Sequence, residues 1–364
     1  MKKKRVWTLA LCLMLMVSLL FTACTDSTEE ISADGEGDNM RTIVDLAGNT
    51  VELPYADEIE KVVIVAPPLV SVYADVMQDT SALIGVHPWA IYDIPTEVRD
   101  QLISNWESID TTFLTGFASN TEQVLSMDPD IILVYGTAQM EGLENIDIPI
   151  VDFFLTDTVN ENWSVQIDAL MREIFAIEDG STLQDEWDEA NAIAAEALAN
   201  IGEEEKKTGL MIMLNTGDTI TVRGVGSYGD DWLTTSGLIN VAGEIEGESK
   251  EVTMEQIYEW DPDIIWVFQG LDASVYMSNS IDGQDWSQLT AYKNGNIIDT
   301  PIGVFYWASP GSDSPLTLQW MILKNYPDTM DEEAFIERMK EYYTQHYNIT
   351  LTDEMVDAIL DPAK

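Results

Sequence analysis

The sequence predicts an α/β fold: two lobes with mostly parallel sheets flanked by helices, joined by one long helix, with a ligand cleft between the lobes. Three observations carry this expectation. Short β-branched runs alternate with helical stretches, the pattern of parallel strands linked by crossover helices. One thirteen-residue segment occurs twice, 133 positions apart. Between the copies, residues 181–202 hold a long stretch without Gly or Pro that ends at Gly202.

The elements follow in order. Thr42–Asp45 and Thr50–Leu53 alternate apolar and polar around Gly48-Asn49, which reads as a hairpin. Lys61–Ala66 is a continuous β-branched run suited to a strand buried on both faces, and Pro67-Pro68 ends it before a helix. Leu83–Val86, Ile131–Val134 and Ile148–Asp152 read as further strands of the first lobe. Leu210–Leu214, Ile264–Phe268 and Ile297–Thr300 repeat the pattern in the second. The intervening helix carries six alanines, with Ser181 and Gln184 as a capping box and Gly202 as a stop. Its length, roughly 30 Å at 1.5 Å per residue, suffices to pass from one lobe to the other.

The duplication is the strongest internal signal. Glu122-Gln-Val-Leu-Ser-Met-Asp-Pro-Asp-Ile-Ile-Leu-Val134 returns as Glu255-Gln-Ile-Tyr-Glu-Trp-Asp-Pro-Asp-Ile-Ile-Trp-Val267, with eight of thirteen positions identical. Each copy reads helix, Asp-Pro-Asp turn, buried strand. The offset is too long for a solenoid and matches one copy per lobe. Two lobes with a cleft between them make a customary small-molecule site.

The N-terminus fixes the compartment. Lys2, Lys3, Lys4 and Arg5 precede an apolar run from Val6 to Phe21, too short for a confident membrane span and suited to a signal peptide. Phe21-Thr22-Ala23-Cys24 resembles the bacterial lipobox, with Phe21 in place of the usual Leu, and implies a lipid on Cys24. Thr25–Met40 is small, acidic and nearly free of apolar residues, as a tether would be. The divisions are therefore a signal peptide over 1–23, an acidic tether over 24–40, an N-terminal lobe over 41–180, a linker helix over 181–202, and a C-terminal lobe with terminal helices over 203–364. Cys12 falls in the removed segment, so the mature chain keeps Cys24 alone and must rely on an ordinary core. Removal of the signal leaves 13 basic against 65 acidic residues, a net charge near −52. A field of that sign repels nucleic acid and anionic lipid.

At the level of motifs the chain resembles the substrate-binding proteins of ABC importers for ferric siderophores, haem and cobalamin. The resemblance covers roughly residues 41–330. It rests on Asp45-x-x-Gly48-x-x-Val51-x-Leu53-Pro54 followed by Lys61-Val-Val, on Leu83-Ile-Gly-Val86, on both Pro-Asp repeats, and on Trp286-x-x-Leu289-x-Ala291-x-Lys293-Asn294-Gly295. It implies rigid lobes bridged by one helix, a cleft that changes only modestly on binding, and a monomer that delivers its cargo to a permease dimer and its ATPase. The cargo would be a metal chelate such as a ferric siderophore, haem or cobalamin, with no cofactor held permanently. Glu122 and Glu255, heading the two repeats, would dock on permease arginines. Loops at the strand ends supply the expected ligand contacts: Trp89, Phe117, Tyr135, Arg223, Tyr228 and Trp307. Aromatic rings offer rigid contact area, and Arg pairs with carboxylates. The protein would sit exported and lipid-anchored on the outer face of the cell membrane.

Other chemistries fit less well. Gly224-x-Gly226-x-x-Gly229 matches a dinucleotide fingerprint, but Asp230 and Asp231 would occupy the helix start where a pyrophosphate needs positive potential. The two histidines, His87 and His346, are far apart and too few for a bare zinc or manganese site. Val225 stands where a Gly-x-Ser-x-Gly elbow around Ser227 would need glycine, so no catalytic residue is assigned. A cell-surface hydrolase, or a non-transport sensor or adhesin on the same scaffold, stands as the alternative.

Overall fold

Residues 40–156, 159–178 and 180–362 are described by a computed structural model; the expected signal segment, the expected lipid site at Cys24 and the expected tether up to residue 39 lie outside the described residues. β1 (Met40–Val44) and β2 (Thr50–Pro54) form the expected antiparallel hairpin. Asp45 closes its turn, accepting the Asn49 backbone N–H at 2.7 Å, and also accepts the Asp152 N–H at 3.2 Å, which fixes the hairpin to the sheet. The chain then runs through β3 (Val62–Ile64), α1 (Leu69–Met77), β4 (Leu83–Val86), α2 (Trp89–Tyr92) and α3 (Thr96–Leu102). The small hairpin β5 (Leu114–Thr115) and β6 (Ala118–Ser119) leads to α4 (Thr121–Met127), β7 (Ile131–Val134) and β8 (Ile150–Asp152).

The first sheet has the order β4-β3-β7-β8, parallel throughout. Alternation explains its continuous apolar strands. Val62, Ile64, Ile131 and Leu133 enter one core layer, and Val63, Val65, Ile132 and Val134 the other. A strand covered on both faces has no polar side to show.

Two antiparallel helices, α5 (Asn160–Phe175) and α6 (Leu183–Leu198), lie between the lobes. At the start of α5 the Asn160 amide donates to the Tyr228 carbonyl at 3.0 Å in the second lobe. At its end Phe175 meets Tyr73 of α1 edge-on at 5.3 Å. α6 carries the chain back, with Trp187 Nε1 donating to Ser164 Oγ at 2.7 Å and Leu198 packed beside Gly237. It starts within the expected stretch but is shorter, and its capping box is Thr182 with Asp185 rather than Ser181 with Gln184. Ser181 instead donates its hydroxyl to Glu186, so the cap moves one residue on.

The second lobe contains β9 (Thr208–Asn215), β10 (Ile220–Val222), α7 (Tyr228–Thr235), β11 (Ile239–Asn240), β12 (Lys250–Val252), α8 (Met254–Trp260), β13 (Ile264–Gly270), α9 (Ala273–Met277), α10 (Thr290–Lys293) and β14 (Ile297–Asp299). The sheet order is β12-β10-β9-β13-β14, with β11 also paired to β9. β9, β11, β13 and β14 are parallel, and β10 is antiparallel to both its neighbours. Three helices close the chain: α11 (Ser314–Asn325), α12 (Glu332–Tyr347) and α13 (Asp353–Leu360). α12 returns to the first lobe, where Gln78 donates to the carbonyls of Gln345 and His346 at 2.9 Å.

The duplication is a duplication of structure. α4 and α8 are both seven residues long, and each ends on an Asp in the left-handed region, Asp128 at φ 53 and Asp261 at φ 37. The second Asp of each Asp-Pro-Asp turn caps the start of the neighbouring strand. Asp130 accepts the Glu60 and Lys61 N–H groups at 2.8 Å, and Asp263 accepts Thr208 N–H at the same distance.

Candidate functional site

A cavity of about 360 Å³ opens where β3, β4 and β7 of the first lobe and β9 and β13 of the second reach their C-terminal ends. Ligands of open parallel sheets sit at these ends, where loops diverge. The first lobe contributes Pro67 and Pro68 after β3, Trp89 after β4, Phe117 from the β5–β6 turn, and Tyr135 with Gln139 after β7. Trp163 and Ile167 of α5 form the back. The second lobe contributes Met213, Tyr228, Phe268, Gln269, Phe305 and Ser309.

The rings make a nearly continuous wall. Trp89 is 42% exposed at the rim, edge-on to His87 at 4.7 Å and to Phe117 at 5.7 Å. Tyr135 packs on Trp163 at 5.6 Å, Trp163 on Tyr228 at 5.6 Å, and Tyr228 on Phe268 at 6.0 Å. Tyr135 and Phe268 are equivalent positions of the duplication, each directly after the repeated segment, and they line the cavity from opposite lobes. The Trp163 indole N–H is turned toward the Tyr135 phenol without completing a hydrogen bond of good geometry. Burial pushes the Tyr135 and Tyr228 phenols up to about 12, so both stay protonated at neutral pH. His87, under Trp89 and Phe117, is pushed down to about 4 by burial and is uncharged there.

Four of the six residues expected at the ligand line this cavity: Trp89, Phe117, Tyr135 and Tyr228. Arg223 does not. It is buried behind the Tyr228 ring, with its guanidinium 3.9 Å from the ring centroid. It donates to the Glu248 carboxylate at 2.7 Å, to Met213 Sδ and to the Tyr228 hydroxyl. Gly229 makes this placement possible, because a Cβ there would meet the Arg223 side chain at 2.4 Å. Trp307 is also outside the lining, fully buried with Nε1 donating to Tyr343 Oη at 3.2 Å. The turn through Gly303 sends Trp307 into the core and leaves Phe305 and Ser309 toward the cavity. Any Cβ at Gly303 would collide with Tyr343 and Trp307.

The glycine-rich loop before α7 is no phosphate cradle. Asp230 accepts the Gly226 N–H at 3.1 Å, and Glu248 accepts the Tyr228 N–H at 3.3 Å, so carboxylates of the chain itself occupy these amides.

Sequence and structure comparisons place this architecture. The sequence pattern of the periplasmic binding protein family matches residues 69–302. The chain belongs to the periplasmic binding protein family. Among curated relatives, the molybdate-binding protein MolA of Haemophilus influenzae is 22% identical over 250 residues, covering 63% of this chain and 70% of the relative. Of solved structures, a periplasmic solute-binding protein from Veillonella parvula superposes with a TM-score of 0.74 at 24% identity, covering 89% of this chain and 98% of the other. Molybdate-bound MolA gives 0.69 at 19% identity, over 86% and 99% of the two chains. CeuE of Helicobacter pylori with nickel and histidine gives 0.67 at 18% identity, over 87% and 98%.

In this periplasmic binding protein, Glu122 and Glu255 stand in the first turns of α4 and α8, both exposed. Neither touches the cavity. Among the described residues no helix is long and apolar enough to cross a membrane, and no group of three or more His, Cys, Asp or Glu side chains is placed to hold a metal ion.

Proposed function

We propose that this periplasmic binding protein is the solute-binding component of an ABC importer, held by a lipid on Cys24 at the outer face of the cell membrane. In this reading the aromatic cavity captures a ferric siderophore or a related chelate, of the class that includes haem and cobalamin. Glu122 and Glu255 then present the loaded protein to the permease dimer and its ATPase. The observation that carries the reading is the cavity itself. It lies between the lobes, takes rings from both, and at about 360 Å³ falls within the range of roughly 300–1,000 Å³ usual for small organic ligands. The structural neighbours bind ligands as different as molybdate and nickel with histidine, so fold alone does not choose among cargoes.

The experiment is a titration of the purified mature chain with ferric chelates, read by quenching of Trp89 and Trp163 fluorescence. Replacing Trp89, Tyr135 or Tyr228 by Ala should each cost about 2 kcal/mol, roughly thirtyfold in affinity, as for desolvated aromatic anchors. Trp307→Ala should destabilise the fold and alter affinity only through that. Unchanged affinity in all three cavity variants, with the fold intact by circular dichroism, refutes the assignment.

A further inference from the structure

The cavity carries information about the charge of its ligand. Its polar lining consists of the side chains of Gln139, Gln269 and Ser309 with the phenols of Tyr135 and Tyr228 and the indoles of Trp89 and Trp163, all neutral, and no Lys, Arg or His among the described residues lines it. The cation behind this wall, Arg223, is engaged through both terminal nitrogens, leaving its buried Nε without a partner. Its guanidinium is bonded to Glu248, Tyr228 and Met213, and the Tyr228 ring stands between it and the cavity. An anionic ligand would lose its water and find only neutral donors, a Gln139 amide whose oxygen is already engaged by the Tyr135 N–H at 2.8 Å among them. The negative field of the whole chain adds to that penalty. A cation or neutral molecule meets the opposite situation, since aromatic faces attract positive charge and bury apolar surface.

Resting on the assignment of this cavity as the ligand site, we propose that it selects an apolar-skinned chelate of neutral or positive net charge and rejects oxyanions and anionic chelates. Glu248 is the specificity-determining residue, because its carboxylate cancels the one guanidinium behind the wall. Its side chain is 42% exposed, so it is replaceable without opening the core. Size agrees with charge: a tetrahedral oxyanion would leave most of the cavity unfilled.

The test varies charge across three ferric chelates and adds a bare tetrahedral oxyanion. Isothermal titration calorimetry of the mature chain is run with a neutral ferric tris-hydroxamate, its cationic amine-bearing counterpart, a trianionic ferric tris-catecholate of similar size, and sodium molybdate. The hydroxamates should bind at least about tenfold more tightly than the tris-catecholate, and molybdate should give no heat. Glu248→Gln should leave the neutral probe within about twofold while tightening the tris-catecholate about tenfold, through the uncompensated Arg223. Tighter binding of the tris-catecholate or of molybdate to the unaltered protein overturns the charge selection and leaves the cavity reading in place. Absence of heat with every chelate overturns both. A Glu248→Gln variant whose discrimination is unchanged removes Glu248 from the mechanism.

Discussion

Asp313 is buried among hydroxyls rather than cations: Tyr347 donates to it at 2.9 Å, Tyr343 at 3.2 Å, and the Val304 N–H at 3.2 Å. Burial outweighs these donors and pushes its carboxyl up to about 7. His346 is the opposite case. Burial alone would lower it, but Asp75 at 2.9 Å and Glu186 at 3.2 Å hold the imidazole up at about 9. Both folded values lie above the unfolded ones, so both groups contribute stability that disappears as pH rises. For Asp313 the contribution is full below about 3.8 and gone above about 7. For His346 it is full below about 6.5 and lost as pH passes about 9. The melting temperature should therefore fall from pH 4 to pH 10 in two stages. Asp313→Asn should flatten the first stage and His346→Gln the second, each read by thermal circular dichroism. A decline of unchanged slope in either variant refutes the corresponding group. At this scale the sequence was only partly legible. Aromatic residues after strands reach the cavity, whereas Trp307 turns into the core, because a linear reading cannot see which way a turn sends a side chain. Trp163 is hidden for a related reason, since an aromatic within a helix reads as core.

Helices α4 and α8 show what an element can reveal. Their common sequence predicted two equivalent helix–turn–strand units, and the equivalence extends to the caps, the left-handed Asp and the strand each second Asp anchors. The same offset of 133 places Phe268 opposite Tyr135, a cavity residue the duplication could have supplied at once. Strands β3, β7, β9 and β13 were legible because burial on both faces leaves uninterrupted apolar runs. β10, β11 and β12 are less legible, being only two or three residues long and at or near an edge. Glu122 and Glu255 test the functional side of the duplication. An exposed ion pair is worth only about 0–1 kcal/mol, so a single replacement should change little. Enclosed in a docked interface, loss of one partner costs roughly 2–5 kcal/mol. Glu122→Ala combined with Glu255→Ala should thus keep ligand affinity and abolish stimulation of ATP hydrolysis by the reconstituted transporter. Normal stimulation would reduce both residues to acids favoured at helix N-termini.

Each sheet has an apolar layer of its own on one face, while on the other face both lobes share a single core. Val62, Ile64 and Leu133 of the first sheet and Met211, Trp266 and Phe268 of the second belong to the same apolar cluster, together with Ile167 of α5, Trp187 of α6 and Met339 of α12. Polar ties cross in the same region: Tyr306 of the second lobe donates to Asp93 of the first at 3.1 Å, and α12 is pinned to α1 through His346 and Asp75. A hinge needs a few residues that can absorb a large backbone rotation while the two bodies separate. Here separation would expose the shared layer, whose buried area is worth about 25 cal/mol per Å². Large closure is therefore disfavoured, and the aromatic cavity should be largely formed before the ligand arrives. Since Cys12 and Cys24 are the two cysteines of the sequence, a Cys12→Ser, Cys24→Ser background allows spin labels at Leu125 on the first lobe and Glu259 on the second, both exposed. The label-to-label distance should change by less than about 2 Å when a bound chelate saturates the protein, the range of a pre-organised site. The same shared layer should make calorimetric unfolding a single transition. A shift of many ångströms, or two resolved melting events, would mean that the lobes move and melt as separate bodies despite their common core.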